Sequence, residues 1–148
     1  MQRTLVLLKP DAVQRRLVGE IIRRFEQKGL RLAGLKMVQA SRDLAEQHYA
    51  VHRGKPFYES LLTFLTSGPT IAMVWEGREA VSVTRLLMGL TDGARSAPGT
   101  IRGDFGLSVQ NNLIHGSDSP ESADAEIALW FRPDELVNYT CADAAWIG

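Results

Sequence analysis

The residues best suited to chemistry lie in one short stretch, Asn-Leu-Ile-His-Gly-Ser-Asp-Ser at 112–119. Its histidine, His115, follows an apolar pair and precedes a glycine, so it stands where a buried segment gives way to a turn. An imidazole with a pKa near ~6.5 is largely neutral at cell pH and can attack without a separate base. A structural histidine that hydrogen-bonds within a loop is an equally good interpretation of this stretch alone.

A helix is predicted directly after this histidine. Ser119 is a candidate N-cap, and Pro120 suits the first helical position. The free N–H groups at a helix start favour anions such as phosphate. Glu126 lies about two turns into this helix, where its carboxylate can hold one nitrogen of His115 and leave the other free to attack. The alternative for Glu126 is a solvated surface carboxylate.

Three basic residues lie at or near the predicted ends of elements. Lys9 follows the first predicted strand, Arg85 lies one turn before a helix-ending glycine, and Arg102 lies near the end of a long loop. Arginine forks match phosphate oxygens. Each cation taken singly is expected to be a solvated surface residue. If all three converge on His115, they form a phosphate site.

Two common phosphate-binding loops are excluded. A Walker A loop needs its lysine to be followed by serine or threonine, whereas Gly54-Lys55 is followed by Pro56. The sequence also contains no G-x-G-x-x-G motif. Any nucleotide must therefore be bound without these glycine-rich loops.

The two remaining histidines, His48 and His52, have the spacing of a helical zinc pair. Tyr49 stands where the metalloprotease motif H-E-x-x-H requires its glutamate. We therefore predict that both are solvated histidines on a helix.

The composition is that of a single soluble domain spanning residues 1–148, with 45% hydrophobic and 23% charged residues. The 17 basic residues balance 17 acidic ones, so there is no global attraction to nucleic acid or to a membrane surface. Cys141 is the only cysteine, which excludes an intrachain disulfide and a cysteine metal cluster. No apolar run has the length of a signal peptide or a membrane span, so we expect a cytoplasmic protein.

Apolar periodicity predicts a sheet with associated helices. The predicted strands cover 4–8, 30–38, 70–75 and 107–114. The predicted helices cover about 17–28, 42–52, 57–67 and 78–89, and a last one begins after Ser119. A long structureless loop, 90–106, is rich in glycine, proline and hydroxyl residues, and such loops are uncommon unless functional. The order predicts an α+β, ferredoxin-like split β-α-β fold, with a four-stranded antiparallel sheet covered by helices on one face.

The chain resembles nucleoside diphosphate kinases over essentially its whole length. The stretch 112–119 is similar to that family's active-site signature, Asn-x-x-His-Gly-Ser-Asp-Ser. Five further blocks are similar: LLKPDAVQRRLVGEII (7–22), HYAVHRGKPFY (48–58), SGPTIAMVWEG (67–77), PGTIRGDF (98–105) and ALWFRPDELVNY (128–139). Several ordered blocks are far more specific than any single motif.

This resemblance implies a role for each matching residue. His115 would carry the phosphate on Nδ1, Glu126 would hold Nε2, and Ser117 would support the site. The implied phosphate-binding residues are Lys9, Arg85, Thr91 and Arg102, and those reaching the ribose are Lys9 and Asn112. Tyr49 would line the site beside the histidine and Lys9, and Phe57 and Val109 would sandwich the base.

The family activity that this implies is ping-pong transfer of the γ-phosphoryl group of ATP, or another nucleoside triphosphate, to a nucleoside diphosphate. Mg²⁺ would bridge the nucleotide phosphates and would have no direct protein ligands. Base recognition by stacking implies broad nucleotide tolerance, because every base offers a π-face. The resemblance also implies a homo-oligomer, either a hexamer or a tetramer. Two departures, Asp92-Gly93 and Gln110-Asn111, are expected to affect loop packing and subunit contacts.

Two non-enzymatic alternatives use the same residues. A phosphohistidine carrier would use His115 without binding free nucleotide, and would need neither a base slot nor ribose contacts. A catalytically inactive interaction or nucleic-acid-binding module would keep only the fold. The zero net charge and the complete set of matching positions argue against the second alternative.

Overall fold

Four strands form one antiparallel sheet in the computed structural model, which describes residues 1–148. The strands are β1 (Gln2–Leu8), β2 (Arg31–Val38), β3 (Thr70–Gly77) and β4 (Ile114–Gly116), in the order β2-β3-β1-β4. The α-helices are α1 (Pro10–Gln14), α2 (Val18–Lys28), α3 (Arg42–His48), α4 (Tyr58–Leu65), α5 (Ala80–Met88), α6 (Ile101–Phe105), α7 (Pro120–Trp130) and α8 (Ala144–Ile147). The predicted α+β class and four-stranded antiparallel sheet are confirmed.

Helices cover both faces of the sheet, so the prediction of one covered face is wrong. Leu5 and Leu7 of β1 pack with residues of α3, α4 and α7. Val6 and Leu8 pack with residues of α1, α2, α5 and α6 on the opposite face. The reason lies in the sequence of β1, because its uninterrupted apolar run places apolar side chains on both faces of the sheet.

The predicted ends of two helices are confirmed by local capping. Gly29 ends α2 with a φ of 101°, a left-handed conformation that glycine adopts without a Cβ penalty. At the start of α7, the Ser119 hydroxyl accepts a hydrogen bond from the Ser122 N–H at 3.0 Å.

The segment from 90 to 114 differs from its prediction in two ways. The loop 90–106 contains a 3-10 turn at Gly93–Arg95 and helix α6, which begins where the Thr100 hydroxyl accepts from the Gly103 N–H. The predicted strand 107–114 is mostly irregular, because β4 covers only Ile114–Gly116. Leu113 has a φ of 72°, and this positive value interrupts the extended conformation just before β4.

The C-terminal segment runs along part of β2, which is the edge strand of the sheet. The Val137 N–H donates to the Ala33 carbonyl at 2.8 Å, and the Tyr139 hydroxyl donates to the Leu32 carbonyl. The first half of this edge is therefore covered. None of the helices has both the length and the apolar character needed to cross a membrane.

Candidate active site

The site is built around His115, the middle residue of β4. Its backbone pairs with Leu7 of β1, and its side chain is 21% exposed. The next residue, Gly116, leaves little room for a side chain, because a Cβ there would lie 2.5 Å from the Met88 sulfur of α5 and would force that side chain to shift. The strand thus holds the imidazole firmly while α5 passes close behind it.

Glu126 and Ser117 orient this imidazole. His115 Nε2 lies 2.9 Å from Glu126 Oε1, and the Ser117 hydroxyl donates to the same oxygen at 2.8 Å. Ser117 is fully buried and accepts from the Leu5 N–H at 3.2 Å, which ties the network to β1. Because a carboxylate oxygen accepts, Nε2 carries the proton and Nδ1 is left with its lone pair.

Lys9 is the most deeply placed cation of the site. It is 8% exposed, and its Nζ donates to Asn112 Oδ1 at 2.9 Å. Burial, followed by repulsion from Arg102, lowers the pKa of Lys9 to about 8. The Asn112 amide in turn donates to the Thr91 carbonyl at 3.2 Å, so these three predicted residues form one chain of contacts.

Arg102 is 5% exposed and is fixed by backbone carbonyls on both sides of the irregular segment. Its Nε donates to the Asn112 carbonyl at 3.0 Å and its Nη2 to the Ile114 carbonyl. Burial, and then the charge of Arg85, lowers the pKa of Arg102 to about 10. Arg85 is exposed and donates to the Gly116 carbonyl at 3.2 Å. Both guanidinium groups therefore contact the backbone immediately next to His115.

A series of neighbouring rings connects His115 with Phe57. The centroid distances are 4.6 Å from His115 to His48, 4.7 Å from His48 to Tyr49, 6.2 Å from Tyr49 to His52 and 5.3 Å from His52 to Phe57. Tyr49 is buried, and burial, with a smaller contribution from the Glu126 charge, raises its pKa to about 12. Its hydroxyl therefore keeps its proton at neutral pH.

Phe57 and Val109, the two residues expected to hold the base, are both exposed apolar side chains. They are 46% and 57% exposed, respectively, and exposed apolar side chains of this kind can bind a ligand such as a nucleotide base. Their pairing across a base stays a prediction.

His48 is a residue of the site that the sequence prediction missed. It is buried, and its Nδ1 accepts a hydrogen bond from Trp130 Nε1 at 3.2 Å, so the prediction of a solvated histidine is wrong for His48. Burial is the main cause that lowers the pKa of His48 well below its usual value, followed by His115. The neutral ring with its proton on Nε2 packs edge-on against the ring of His115. The ring of His52 is partly exposed, nearer to its prediction.

Only one group of side chains has the types and spacing of a metal site, namely His48, His115 and Glu126. Their donor atoms lie within 4.8 Å of one another. However, Trp130 already donates to Nδ1 of His48, and Nε2 of His115 already lies against Glu126. Nitrogen-rich sets also suit zinc-like ions better than Mg²⁺, which prefers oxygen ligands. The donor atoms of this group are therefore a poor match for Mg²⁺.

Comparison with known proteins gives one consistent result. A family model for nucleoside diphosphate kinase matches residues 2–136. The nucleoside diphosphate kinases of Thermomicrobium roseum and Carboxydothermus hydrogenoformans are 60% and 57% identical to the chain over 147 residues, with 99% of each chain covered.

Solved structures agree with these relatives. A halophilic nucleoside diphosphate kinase from Halobacterium salinarum, in complex with CDP, superimposes with a TM-score of 0.97 at 50% identity and covers 99% of this chain and 98% of its own. A nucleoside diphosphate kinase family protein from Babesia bovis superimposes with a TM-score of 0.97 at 47% identity, with 100% of both chains covered. Because the match to the family model, the near full-length relatives and the fold all agree, the chain belongs to the nucleoside diphosphate kinase family of phosphotransferases.

Proposed function

We propose that His115 is the nucleophile that carries a phosphoryl group from a nucleoside triphosphate, typically ATP, to a nucleoside diphosphate. The observation that carries this proposal is the hydrogen-bonded network of Glu126 and Ser117 at Nε2, which leaves Nδ1 free. The two non-enzymatic alternatives are set aside by the family membership.

The transfer proceeds in two displacements. The Nδ1 lone pair of His115 attacks the γ-phosphorus, the bond to the bridging oxygen breaks, and the nucleoside diphosphate leaves with that electron pair. A β-phosphate oxygen of the second nucleotide then attacks the same phosphorus, and the phosphorus–nitrogen bond breaks. The proton stays on Nε2 throughout, where Glu126 stabilises the positive charge that develops on the ring during attack.

The buried cations balance the charge of the phosphates. Lys9 has three N–H groups and uses one on Asn112, so the others can reach phosphate or ribose oxygens. Arg102 is fixed by carbonyls through Nε and Nη2, which orients its remaining N–H groups before the ligand arrives. Arg85 and Thr91 are exposed and would complete the phosphate contacts from the α5 side. Because these groups are already positioned, little reorganisation is needed during the reaction.

A divalent metal is the cofactor of this family, and we propose Mg²⁺ held by the nucleotide's own phosphates. The bound ion would neutralise phosphate charge and fix the geometry of the polyphosphate. The residues of the chain contribute the cations and the nucleophile.

The base would stack between Phe57 and Val109, with Tyr49 lining the inner wall. Stacking without base-specific hydrogen bonds supports broad tolerance of nucleotides. CDP bound to the Halobacterium salinarum protein supports a nucleotide site in the same fold. We further propose a homo-oligomer, because the second half of the β2 edge bears the exposed side chains of Leu35 and Met37. The cytoplasmic location expected from the sequence stays a prediction.

Incubation with γ-labelled ATP tests this proposal. We expect an acid-labile phosphoenzyme that unlabelled nucleoside diphosphate discharges, and no label in His115→Ala. Label that survives this substitution would contradict the assignment of the nucleophile.

A second variant separates base binding from chemistry. Phe57→Ala should weaken nucleotide binding, because stacking on an aromatic ring contributes about 1–3 kcal/mol per base, yet still form phosphoenzyme at saturating nucleotide. Nucleotide protection against thermal unfolding of the unmodified chain provides the control, since a pure phosphate carrier would show none.

A further inference from the structure

The backbone just before the nucleophile strand makes a strained turn. Leu113 has a φ of 72°, and the Ile114 N–H donates to the Asn112 carbonyl at 2.8 Å across it. This three-residue hydrogen-bonded turn with a positive central φ is the rarer and more strained form of γ-turn. A leucine persists in such a conformation only where its surroundings hold it there.

Contacts on several sides hold this turn. The Leu113 side chain is fully buried, and its carbonyl accepts from the Lys9 N–H at 2.8 Å. Arg102 Nε binds the Asn112 carbonyl at 3.0 Å. The Leu113 N–H donates to Asp11 Oδ2 at 3.1 Å, a contact that spans 102 positions of the chain. Asp11 is thus the side chain that fixes the N–H of the strained residue.

The turn lies between two groups that must face the same nucleotide. Asn112 precedes Leu113 and accepts from Lys9 Nζ at 2.9 Å, and His115 follows two residues later in β4. A change of φ at Leu113 would therefore move the ribose-binding amide relative to the nucleophile. A misplacement of about 1 Å can cost roughly 10²-fold in rate.

The charge of Asp11 has opposing effects here, because it raises the pKa of Lys9 and of Arg102 while burial disfavours the carboxylate itself. Its Oδ1 is buried without a hydrogen-bond partner, and burial raises the pKa of the carboxyl, opposed by the Leu113 bond and by the charge of Lys9. An anion beside a phosphate site also repels the substrate. The contact that ties Asp11 to the backbone beside the nucleophile strand is its hydrogen bond with the Leu113 N–H.

We propose that Asp11 is a positioning residue, whose carboxylate holds the γ-turn at Leu113 so that Asn112 and His115 present their side chains to one nucleotide. This inference rests on the proposed role of His115 as nucleophile. Asp11 itself contacts no reacting atom.

Two substitutions test the proposal through the rate of phosphoenzyme formation at saturating labelled ATP. Asp11→Ala removes the acceptor and should lower that rate on the order of 10²-fold. Asp11→Asn keeps an oxygen for the Leu113 N–H and should restore the rate to within about threefold of the unmodified chain. The threefold limit allows for the weaker hydrogen bond that the Leu113 N–H makes to a neutral amide oxygen than to a carboxylate. Asp43→Ala is the matched control, because Asp43 also lies in the first turn of a helix and binds only Gln47, at 2.8 Å.

An unchanged rate of phosphoenzyme formation in Asp11→Ala would overturn the proposal. An equal loss of rate in Asp11→Ala and Asp11→Asn would also overturn it, because the effect would then come from the charge. Amide exchange of Leu113 in the unmodified chain is independent of activity and of variant folding. We expect strong protection, and fast exchange from the folded state would also overturn the proposal. If the unmodified chain takes up no label, the proposed role of His115 fails. The exchange measurement still tests whether the γ-turn at Leu113 is held in place.

Discussion

At the scale of single residues, the site shows how burial prepares polar groups before a ligand arrives. Lys9, Arg102, Asn112 and Ser117 are all buried, and each has a hydrogen-bond partner within the site. Buried polar groups are costly unless they are paired, and paired groups lose their freedom to reorient. The result is a set of fixed polar groups near an imidazole that is 21% exposed.

If Lys9 binds phosphate as proposed, we expect nucleotide binding to depend on pH. Its pKa of about 8 means that the free chain loses this positive charge as pH rises through 8. A bound phosphate favours the protonated ammonium and raises the pKa again, so binding takes up a proton above pH 8. We expect the dissociation constant of a nucleoside diphosphate to rise up to about tenfold per pH unit above pH 8. Calorimetry in two buffers of different ionisation enthalpy at pH 7 and pH 9 measures this uptake.

The matched control for this prediction is Lys9→Gln, which cannot titrate. It should bind more weakly at pH 7 and lose the dependence on pH between 8 and 9.5. An affinity of the unmodified chain that stays constant over this interval would contradict the role of Lys9.

At the scale of elements, features with a local signal were predictable and features with distant causes were not. Ser119 caps α7 and Gly29 ends α2, and in each case the deciding residue lies within the element or beside it. The burial of His48 depends on Trp130, which lies 82 positions away, and no local pattern indicates this contact. The γ-turn at Leu113 depends on Asp11 in the same way.

Most residues of the site were predicted from the resemblance to nucleoside diphosphate kinases and not from local sequence patterns. The residues of the proposed phosphate site lie just after β1, in α5, in α6 and its preceding loop, and in or just before β4. Spacing along the chain alone left His115 equally open to a structural role. The short helices α1, α6 and α8 were missed because four or five residues show little periodicity.

Gly93 tests how tightly the segment 90–106 is packed. A Cβ at Gly93 would lie 2.5 Å from the backbone carbonyl of Gly106, at the end of α6. Backbone cannot move aside as a flexible side chain can, so we expect Gly93→Ala to destabilise the chain by about 1–3 kcal/mol, as overpacking does. Urea unfolding with a constant m-value measures this change.

The control at this scale is Gly19→Ala in α2, where a Cβ would meet nothing within 4 Å. Alanine is the better helix former, so this variant should be neutral or more stable by up to about 1 kcal/mol. Equal stability of Gly93→Ala and the unmodified chain would mean that the loop can shift away from α6.

At the scale of the whole molecule, the two edges of the sheet differ. β4 forms one edge and is only three residues long, whereas β2 forms the other and has eight. The C-terminal segment covers the Leu32 and Ala33 carbonyls, but Leu35 and Met37 remain 50% and 62% exposed farther along. Long uncovered edges pair readily with other strands. This half of β2 is therefore the place where we expect a second copy of the chain to bind.

A charge on this edge should weaken that association. Met37→Lys places an ammonium at the expected contact, and charged side chains on an edge strand, lysine above all, oppose strand pairing. We expect its mass in analytical ultracentrifugation at micromolar concentration to shift toward the monomer. Val51→Lys, at a side chain that is 80% exposed in the 3-10 turn Ala50–His52 and outside β2, should keep the mass of the unmodified chain. If Met37→Lys retains the full assembly while Val51→Lys disrupts it, the contact between copies lies elsewhere. The exposed half of β2 would then be an edge that faces solvent in the assembly.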